Sequence, residues 1–459
     1  MKTMYRTDKY HIKKGHKLYS YCHSLCLSAA ILYNRANFLL RQYATAVRDF
    51  EQYKPLTENQ LTVWQMISDI TGGTKYAPKG KWLTYGTLDY VLKSLKDPAY
   101  TGLPAQANQQ VLKLLLKDYK SFFESLKEYK SHPGKFTGRP KLPKYVKQGS
   151  CKTAILTNQI CRIVDGRFLK MPGIKTRLNL HKRGSVTLKE VRILYHCHQF
   201  EIEVVTESAL QGITEADNQN LISKYQTLST LKDLRVLSID PGLDNICAVT
   251  NNFGSQPLVI KGSMVKSENR YYNKQLAKYK SAAMKCNGLH DTARIARLTS
   301  RRNRYINDAM HKISRYIVNY AVSNKVNMVI LGHNQFQKQE IFLGHINNQN
   351  FVQIPQQVLA GMLRYKLLAE GICFLETEES YTSKADYLAM DEIPVYTKGD
   401  NGKHSFSGRR IKRGLYHHCD GSISNADING AANIMRKVFP KVSQWDRGVV
   451  DTPVSVRLA

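Results

Sequence analysis

A chain of 459 residues carries 68 Lys and Arg against 36 Asp and Glu, a net charge of +32 spread along its length. That length suits about three domains, and a basic excess of this size points first to a polyanionic partner, nucleic acid. No run of 18 apolar residues is present to span a bilayer, and nine scattered cysteines fit a reducing cytosol better than a disulfide framework, which sets membrane-spanning and secreted classes aside.

The first third reads as helical. Leu25, Ala29, Leu32, Ala36, Leu39 and Tyr43 form a stripe at helical spacing, interrupted by Asn34 and Arg35. Val111, Leu115, Tyr119, Phe122, Leu126 and Tyr129 form a second stripe, over at least five turns. Between the two, residues 74–101 read as loops and short helices. At residues 132–145 the prolines and glycines end any helix, and Lys135, Arg139, Lys141 and Lys144 make a basic linker. A solvated loop is the plain interpretation. The charge of the whole chain favours contact with a nucleic-acid backbone.

Strands follow. Asp165-Gly166 between two apolar runs signals a hairpin. Val191, Ile193 and Tyr195, then Phe200, Ile202 and Val204, alternate with polar residues around a His-Cys-His-Gln turn, predicting a small β-barrel or sheet. His196, Cys197 and His198 are not read as metal ligands, because consecutive strand residues point to opposite faces. Residues 206–232 are polar and read as a linker.

From Leu234 the pattern changes. Arg235 to Asp240 is a buried apolar strand delivering one carboxylate to its end, followed by Pro241-Gly242 and a second apolar strand over Ile246–Thr250. An ionised Asp there is costly unless hydrogen-bonded or neutralised by a cation; a turn-capping Asp is the plain alternative. A third strand covers 257–261. In the helical region that follows, Arg294, Arg297, Arg301 and Arg304 share one helix face, opposite Ile295, Leu298, Ile306, Met310, Ile313 and Ile317. Such a stripe is either a solvated face or a row of phosphate contacts. Then come a strand (326–331), a helix (355–370), a strand (372–377) and a basic loop (398–412) extended by Arg413, with Arg409, Arg410 and Lys412 inside it. Last is a helix whose small residues Ala426, Ala431 and Ala432 permit close packing on a sheet, with Asp427 in its first turn, where a helix cap is the alternative role. Three strands, helix, strand, helix, strand, helix is the order of a ribonuclease H-like domain. The expected fold class is therefore α+β and multidomain.

Several motifs resemble those of TnpB proteins, the transposon-encoded RNA-guided DNA nucleases of the OrfB transposase family. Asp240-Pro-Gly-Leu-Asp-Asn resembles their first RuvC-type motif, and Asn425-Ala-Asp-Ile-Asn-Gly-Ala-Ala-Asn-Ile434 their last. Glu379-Ser-Tyr-Thr-Ser-Lys384 resembles their Tyr-Thr-Ser segment, and Gly138-Arg-Pro-Lys-Leu-Pro-Lys-Tyr145 their linker. The resemblance implies a RuvC-like nuclease with an N-terminal β-barrel wedge domain and an inserted helical recognition domain. On that plan residues 1–20 and 132–206 are wedge, 21–131 recognition and 207–233 linker. Residues 234–384 and 421–442 are then nuclease, 385–420 a degenerate zinc-ribbon loop region and 443–459 a tail.

Two departures from the family stand out. Family members place a Glu at the end of the strand that here reads Asn327-Met-Val-Ile-Leu-Gly-His333, where this chain has Leu331 and Gly332. Glu378 and Glu379 instead end the next strand, about 4.8 Å away in a sheet, and alternation lets one of them face the site. Glu379 is favoured as the ligand, Glu378 second. The paired Cys-x-x-Cys motifs are also missing, and Cys419 with His417 and His418 does not complete a tetrahedral site, so no structural zinc is expected. The implied chemistry is phosphodiester hydrolysis, with Asp240, Glu379 and Asp427 holding two Mg²⁺ or Mn²⁺ about 4 Å apart and Asn429 bonding the scissile phosphate or a ligand water. The implied partners are a noncoding guide RNA, one protein copy per RNA preferred, and target double-stranded DNA beside a short motif, with a prokaryotic cytosolic location. Three other readings fit the same residues: a nuclease-inactive RNA-guided repressor, a miniature type V CRISPR effector with a repeat-array guide, and a transposase that joins strands itself.

Overall fold

A computed structural model describes residues 3–181, 187–209, 212–228, 231, 233–333, 355–396, 404–412, 414–440 and 452–458. Arg413 and the first part of the basic loop (398–403) lie outside the described residues. The chain divides into two compact units after Ala209.

The first unit contains β1 (Thr3–Ile12), α1 (Tyr19–Glu51), α2 (Glu58–Thr71), α3 (Tyr85–Ser94), α4 (Pro98–Thr101) and α5 (Ala105–Ser131). After them come β2 (Ala154–Thr157), β3 (Arg162–Val164), β4 (Phe168–Lys170), β5 (Leu178–Asn179), β6 (Thr187–His196) and β7 (Gln199–Ala209). The stripe on α1 is buried throughout, as are Val111, Leu115 and Tyr119 on α5. Phe122, Leu126 and Tyr129, later on the same stripe, are only half-buried, so the C-terminal part of α5 leaves the core. Asn34, which breaks the α1 stripe, has a use. Its amide donates to Val146 O and its carbonyl accepts from Val146 N, both at 2.8 Å, laying the basic linker along α1. Arg41 adds a guanidinium 4.7 Å from the centre of the Tyr145 ring.

Among the described residues the strands make an open antiparallel sheet, β1-β7-β6-β2, and a separate sheet, β3-β4-β5. No closure into a barrel is seen there. The His196–Gln199 pair closes a two-residue hairpin with Cys197 and His198 both at positive φ, 49° and 57°. That conformation matches the right-handed twist of the flanking strands β6 and β7.

The second unit begins with a helix where the sequence predicts linker: α6 (Glu215–Gln226). Thr214 and Asp217 form a capping box, a signal visible in the sequence but outweighed by the polarity of the stretch. Asn218 on α6 exchanges two hydrogen bonds with the Phe374 backbone, satisfying groups at a sheet edge. Further on lie β8 (Val236–Asp240), β9 (Asn245–Asn251), β10 (Leu258–Lys261), α7 (Ser263–Asn287), α8 (Ala293–Ser323), β11 (Met328–His333), α9 (Gln356–Ala369) and β12 (Cys373–Glu378). The chain ends with β13 (Arg409–Lys412), β14 (Leu415–His417), β15 (Ile423–Asn425), α10 (Ala426–Val438) and β16 (Val454–Val456). The main sheet has the order β12-β11-β8-β9-β10-β16. β8, β9 and β10 form an antiparallel meander, while β11 runs parallel to β8, and β12 to β11. This is the ribonuclease H-like order, with β16 from the expected tail added beside β10.

Both faces of the sheet are covered, which is why its strands read as continuous apolar runs. Leu237, Ile239, Val329 and Leu331 face a core with Ile313 of α8 and Leu363 of α9. Val236, Met328, Ile330 and Cys373 face Ile434 and Met435 of α10. On that second face Ser238 Oγ donates to Ala431 O at 2.6 Å, a contact that the small residues of α10 allow.

Candidate active site

The two-residue period of β8 decides where Asp240 points. Val236 and Ser238 face α10, so Asp240, two further on, does too. Gly430 of α10 lies against it: a Cβ at that position would come within 2.6 Å of Asp240 Oδ2. On β12, Cys373 and Leu375 face α10, while Glu376 is 3.1 Å from Arg364 of α9. Continuing that alternation turns Glu379 toward α10 and Asp240. Glu378 goes elsewhere: its carboxylate is held by Lys437 and by the Ser380 backbone and hydroxyl.

The helix cap of α10 is Asn425, which accepts from Asp427 N at 3.0 Å and Ile428 N at 3.3 Å. Asp427 is therefore not needed as a cap and turns to the cleft. There it accepts from Asn245 Nδ2 at 2.6 Å and from Arg410 at 3.3 Å. Asn245 is itself held, its carbonyl accepting from Lys261 Nζ at 3.1 Å. Asn245 closes the Asp240–Asn245 motif, where the sequence alone assigns it no role.

Asp240, Glu379 and Asp427 line one cleft of about 850 Å³ with Arg410 and Lys412. Burial, then the charges of Glu379 and Asp427, push the Asp240 carboxyl well above the usual carboxylate range, with Arg410 opposing them. Carboxylates crowded in this way call for a cation, and a set of hard oxygen donors suits Mg²⁺ or Mn²⁺. Among the described residues no group of three or more His, Cys, Asp or Glu side chains is disposed to hold a metal ion.

Residues 216–336 match the family profile OrfB_IS605, described as "Probable transposase". The match covers about a quarter of the chain. It spans β8 to β11 and holds Asp240 and Gly332, but ends before Glu379 and Asp427. No curated protein matches the chain by sequence. Among solved structures, a Cas12f1–sgRNA–target DNA complex is 14% identical, covering 91% of this chain and 82% of that one at a TM-score of 0.44. CasPhi-2 (Cas12j) bound to crRNA and phosphorothioate-DNA is 8% identical, covering 95% and 91% at 0.35. With TM-scores below 0.5 neither likeness decides the fold, which rests on the strand order.

Two expectations change. Asn429 does not face the cleft. It is fully buried, donating to Ala385 O at 2.9 Å and accepting from Tyr387 N at 3.2 Å, so it clamps α10 to the chain after Ser383. The zinc-ribbon region contains a three-stranded sheet, β13-β14-β15, pinned by buried side chains. His418 Nδ1 lies 2.6 Å from Asp386 Oδ1, and its Nε2 2.6 Å from Ser424 Oγ. Burial raises the Asp386 pKa, but His418 and the backbone N–H groups of Cys419 and Leu388 outweigh it and hold the carboxyl below its ordinary value. A depressed carboxyl contributes its stability in full above its unfolded value and loses it as pH falls through the folded one. His418→Ala is expected to leave a buried carboxylate short of a partner and cost about 3–5 kcal/mol. Faster hydrogen exchange over 414–426 and a lower thermal midpoint would show it. The advantage of the unaltered protein over Asp386→Asn should shrink only below about pH 3.8; an advantage that faded already between pH 7 and 5 would refute the assignment.

The remaining basic residues are placed as follows. Arg294, Arg297 and Arg301 are exposed on α8 and Arg304 is half-buried, with Arg294 stacked 4.3 Å from the Tyr279 ring centre on α7. In the first unit Arg139 is exposed, and Lys141 and Lys144 line a cleft with Lys152 and Tyr33. Arg409 is exposed on β13. Among the described residues no helix is long and apolar enough to cross a membrane.

Proposed function

We propose that this protein is an RNA-guided DNA endonuclease of the TnpB type whose RuvC-like unit cuts target DNA by metal-dependent phosphodiester hydrolysis. One observation carries this reading: acidic side chains from the end of β8, the end of β12 and the first turn of α10 share a cleft on a ribonuclease H-like sheet. The OrfB_IS605 match around Asp240 and the net charge of +32 support it. So does the resemblance of the Tyr-Thr-Ser and linker motifs. The Cas12f1 complex named above contains an sgRNA and target DNA, and the CasPhi-2 complex a crRNA and phosphorothioate-DNA; a noncoding guide RNA and double-stranded DNA are the partners proposed here.

Asp240, Glu379 and Asp427 would hold Mg²⁺, which supplies water activation and charge stabilisation at the phosphodiester. Asn245, braced by Lys261, fixes the orientation of Asp427. Arg410 and Lys412 draw the phosphate backbone into the cleft. Arg410 now pairs with Asp427 and would exchange that carboxylate for a phosphate as DNA enters. The exposed arginines of α8 and the basic linker make sequence-independent phosphate contacts.

The test is to sequence the RNA that co-purifies with the protein and supply a plasmid matching its variable end. Linearisation in Mg²⁺, lost in EDTA and without RNA, is the expected result. RNA-dependent binding with no cutting would replace this reading with a repressor, and strand joining without RNA would replace it with a transposase.

A further inference from the structure

Tyr381 has a left-handed backbone, φ 61°, that a bulky side chain rarely adopts. Its surroundings hold it there. Tyr381 O accepts from Lys384 N and Ala385 N, both at 3.0 Å. On the next residue Thr382 O accepts from Asn433 of α10 at 2.9 Å. An outlier fixed from several sides is a place to look for function. What this one does is present the phenol ring on the wall of the cleft that holds Asp240, Glu379 and Asp427. The ring does not stand alone. His404 meets it edge-on at 4.7 Å between centres, Phe406 lies at 6.2 Å, tilted by 33°, and Lys384 Nζ is 5.6 Å from its centre. His404 is exposed, while Tyr381 and Phe406 are half-buried.

An aromatic cluster with a lysine beside it, whose Tyr381 lines a cleft that also holds Arg410 and Lys412, matches the chemistry of a single strand. The phosphates meet Arg410 and Lys412, and the bases need flat apolar partners. A paired base offers no face to such a wall, whereas an unpaired one does. We propose that Tyr381, His404 and Phe406 form a stacking subsite at the rim of the cleft for an unpaired nucleobase of the strand presented for cleavage. The subsite fixes the register of that strand over the three carboxylates. This rests on the nuclease reading above for its context, though stacking can be measured without cleavage.

The test uses the full chain with its co-purified RNA and target strands carrying one abasic residue at successive positions flanking the mapped cut. In the unaltered protein an abasic residue at one such position is expected to slow single-turnover cleavage on the order of tenfold. With Tyr381→Ala the same substitution should cost under about twofold, and Tyr381→Phe, which keeps the ring, should behave as the unaltered protein. His404→Ala, on an exposed side chain, is the second variant should Tyr381→Ala fold poorly, and is expected to weaken the abasic effect in the same direction. Equal abasic penalties in the unaltered and Ala proteins, or none at any position, would overturn the subsite. If the unaltered protein cuts nothing, the nuclease reading fails by itself. Quenching of a 2-aminopurine base in a bound single strand then decides the subsite: quenching lost in both Ala variants supports it, and unchanged quenching removes it.

Discussion

Glu379→Gln is expected to lower plasmid cleavage by on the order of a thousandfold or more, while Glu378→Gln leaves it within about twofold. The residues are adjacent and chemically alike, so composition cannot separate them. Geometry does. The charge of Glu379 is one of those that raise the Asp240 pKa, and the residue lines the same cleft. Glu378 is instead held by Lys437 and Ser380 and does not line the cleft, so its loss touches that pairing and leaves the three cleft carboxylates in place. Single-turnover cleavage in Mg²⁺, with DNA binding measured alongside in Ca²⁺, separates lost chemistry from lost affinity. Equal loss from both substitutions would mean the carboxylates act interchangeably, and an active Glu379→Gln would remove it from the site.

The sequence carries much of this unit because its strands are buried on both sides. Strands such as Val236–Asp240 and Met328–His333 read as short apolar runs, and their order with the intervening helices is the order seen in the sheet. Asp240 and Asp427 were legible for a related reason: each is the acidic residue where an apolar element meets its end. What escaped depends on contacts remote in sequence. Asn429 sits two residues from Asp427 and reads as a phosphate ligand, yet helical spacing turns it by about 200°, into Ala385 and Tyr387. The helix Glu215–Gln226 is polar, and contacts remote in sequence order it: Asn218 docks on Phe374, and Ile222 packs in the core with Val236 and Ile434. The open sheet of the first unit could not be told from a barrel, because alternation fixes which face is buried and leaves closure undetermined.

Gly332→Ala is expected to reduce cleavage about a hundredfold, although it removes no functional group. In the TnpB proteins that the motifs resemble, the middle Glu falls where this chain has Leu331-Gly332, and Gly332 leaves open the space that Glu379 enters from the neighbouring strand. Its Cα faces α10, and an added Cβ would lie 2.9 Å from Glu379 Oε2 and 2.5 Å from Ile434 Cδ1. Glu379 thus reaches across the space that a side chain at 332 would fill. Ile434 is fully buried, so its methyl has little room to yield, and the overpacking should cost about 1–3 kcal/mol. Most of the strain is therefore relieved by the end of the Glu379 side chain, moving its carboxylate off the site. Circular dichroism and thermal unfolding should show the unit still folded while single-turnover cleavage falls. An Ala variant as active as the unaltered protein would mean that Glu379 has room to spare and that the glycine is incidental. The reciprocal exchange presses the same point. Gly332→Glu combined with Glu379→Ala returns the acid to β11, beside the β8 strand that carries Asp240, and Ile434→Val trims the obstructing methyl. That triple variant is expected to cut at least about tenfold faster than Glu379→Ala alone, because the cleft needs a third carboxylate more than it needs one from a particular strand.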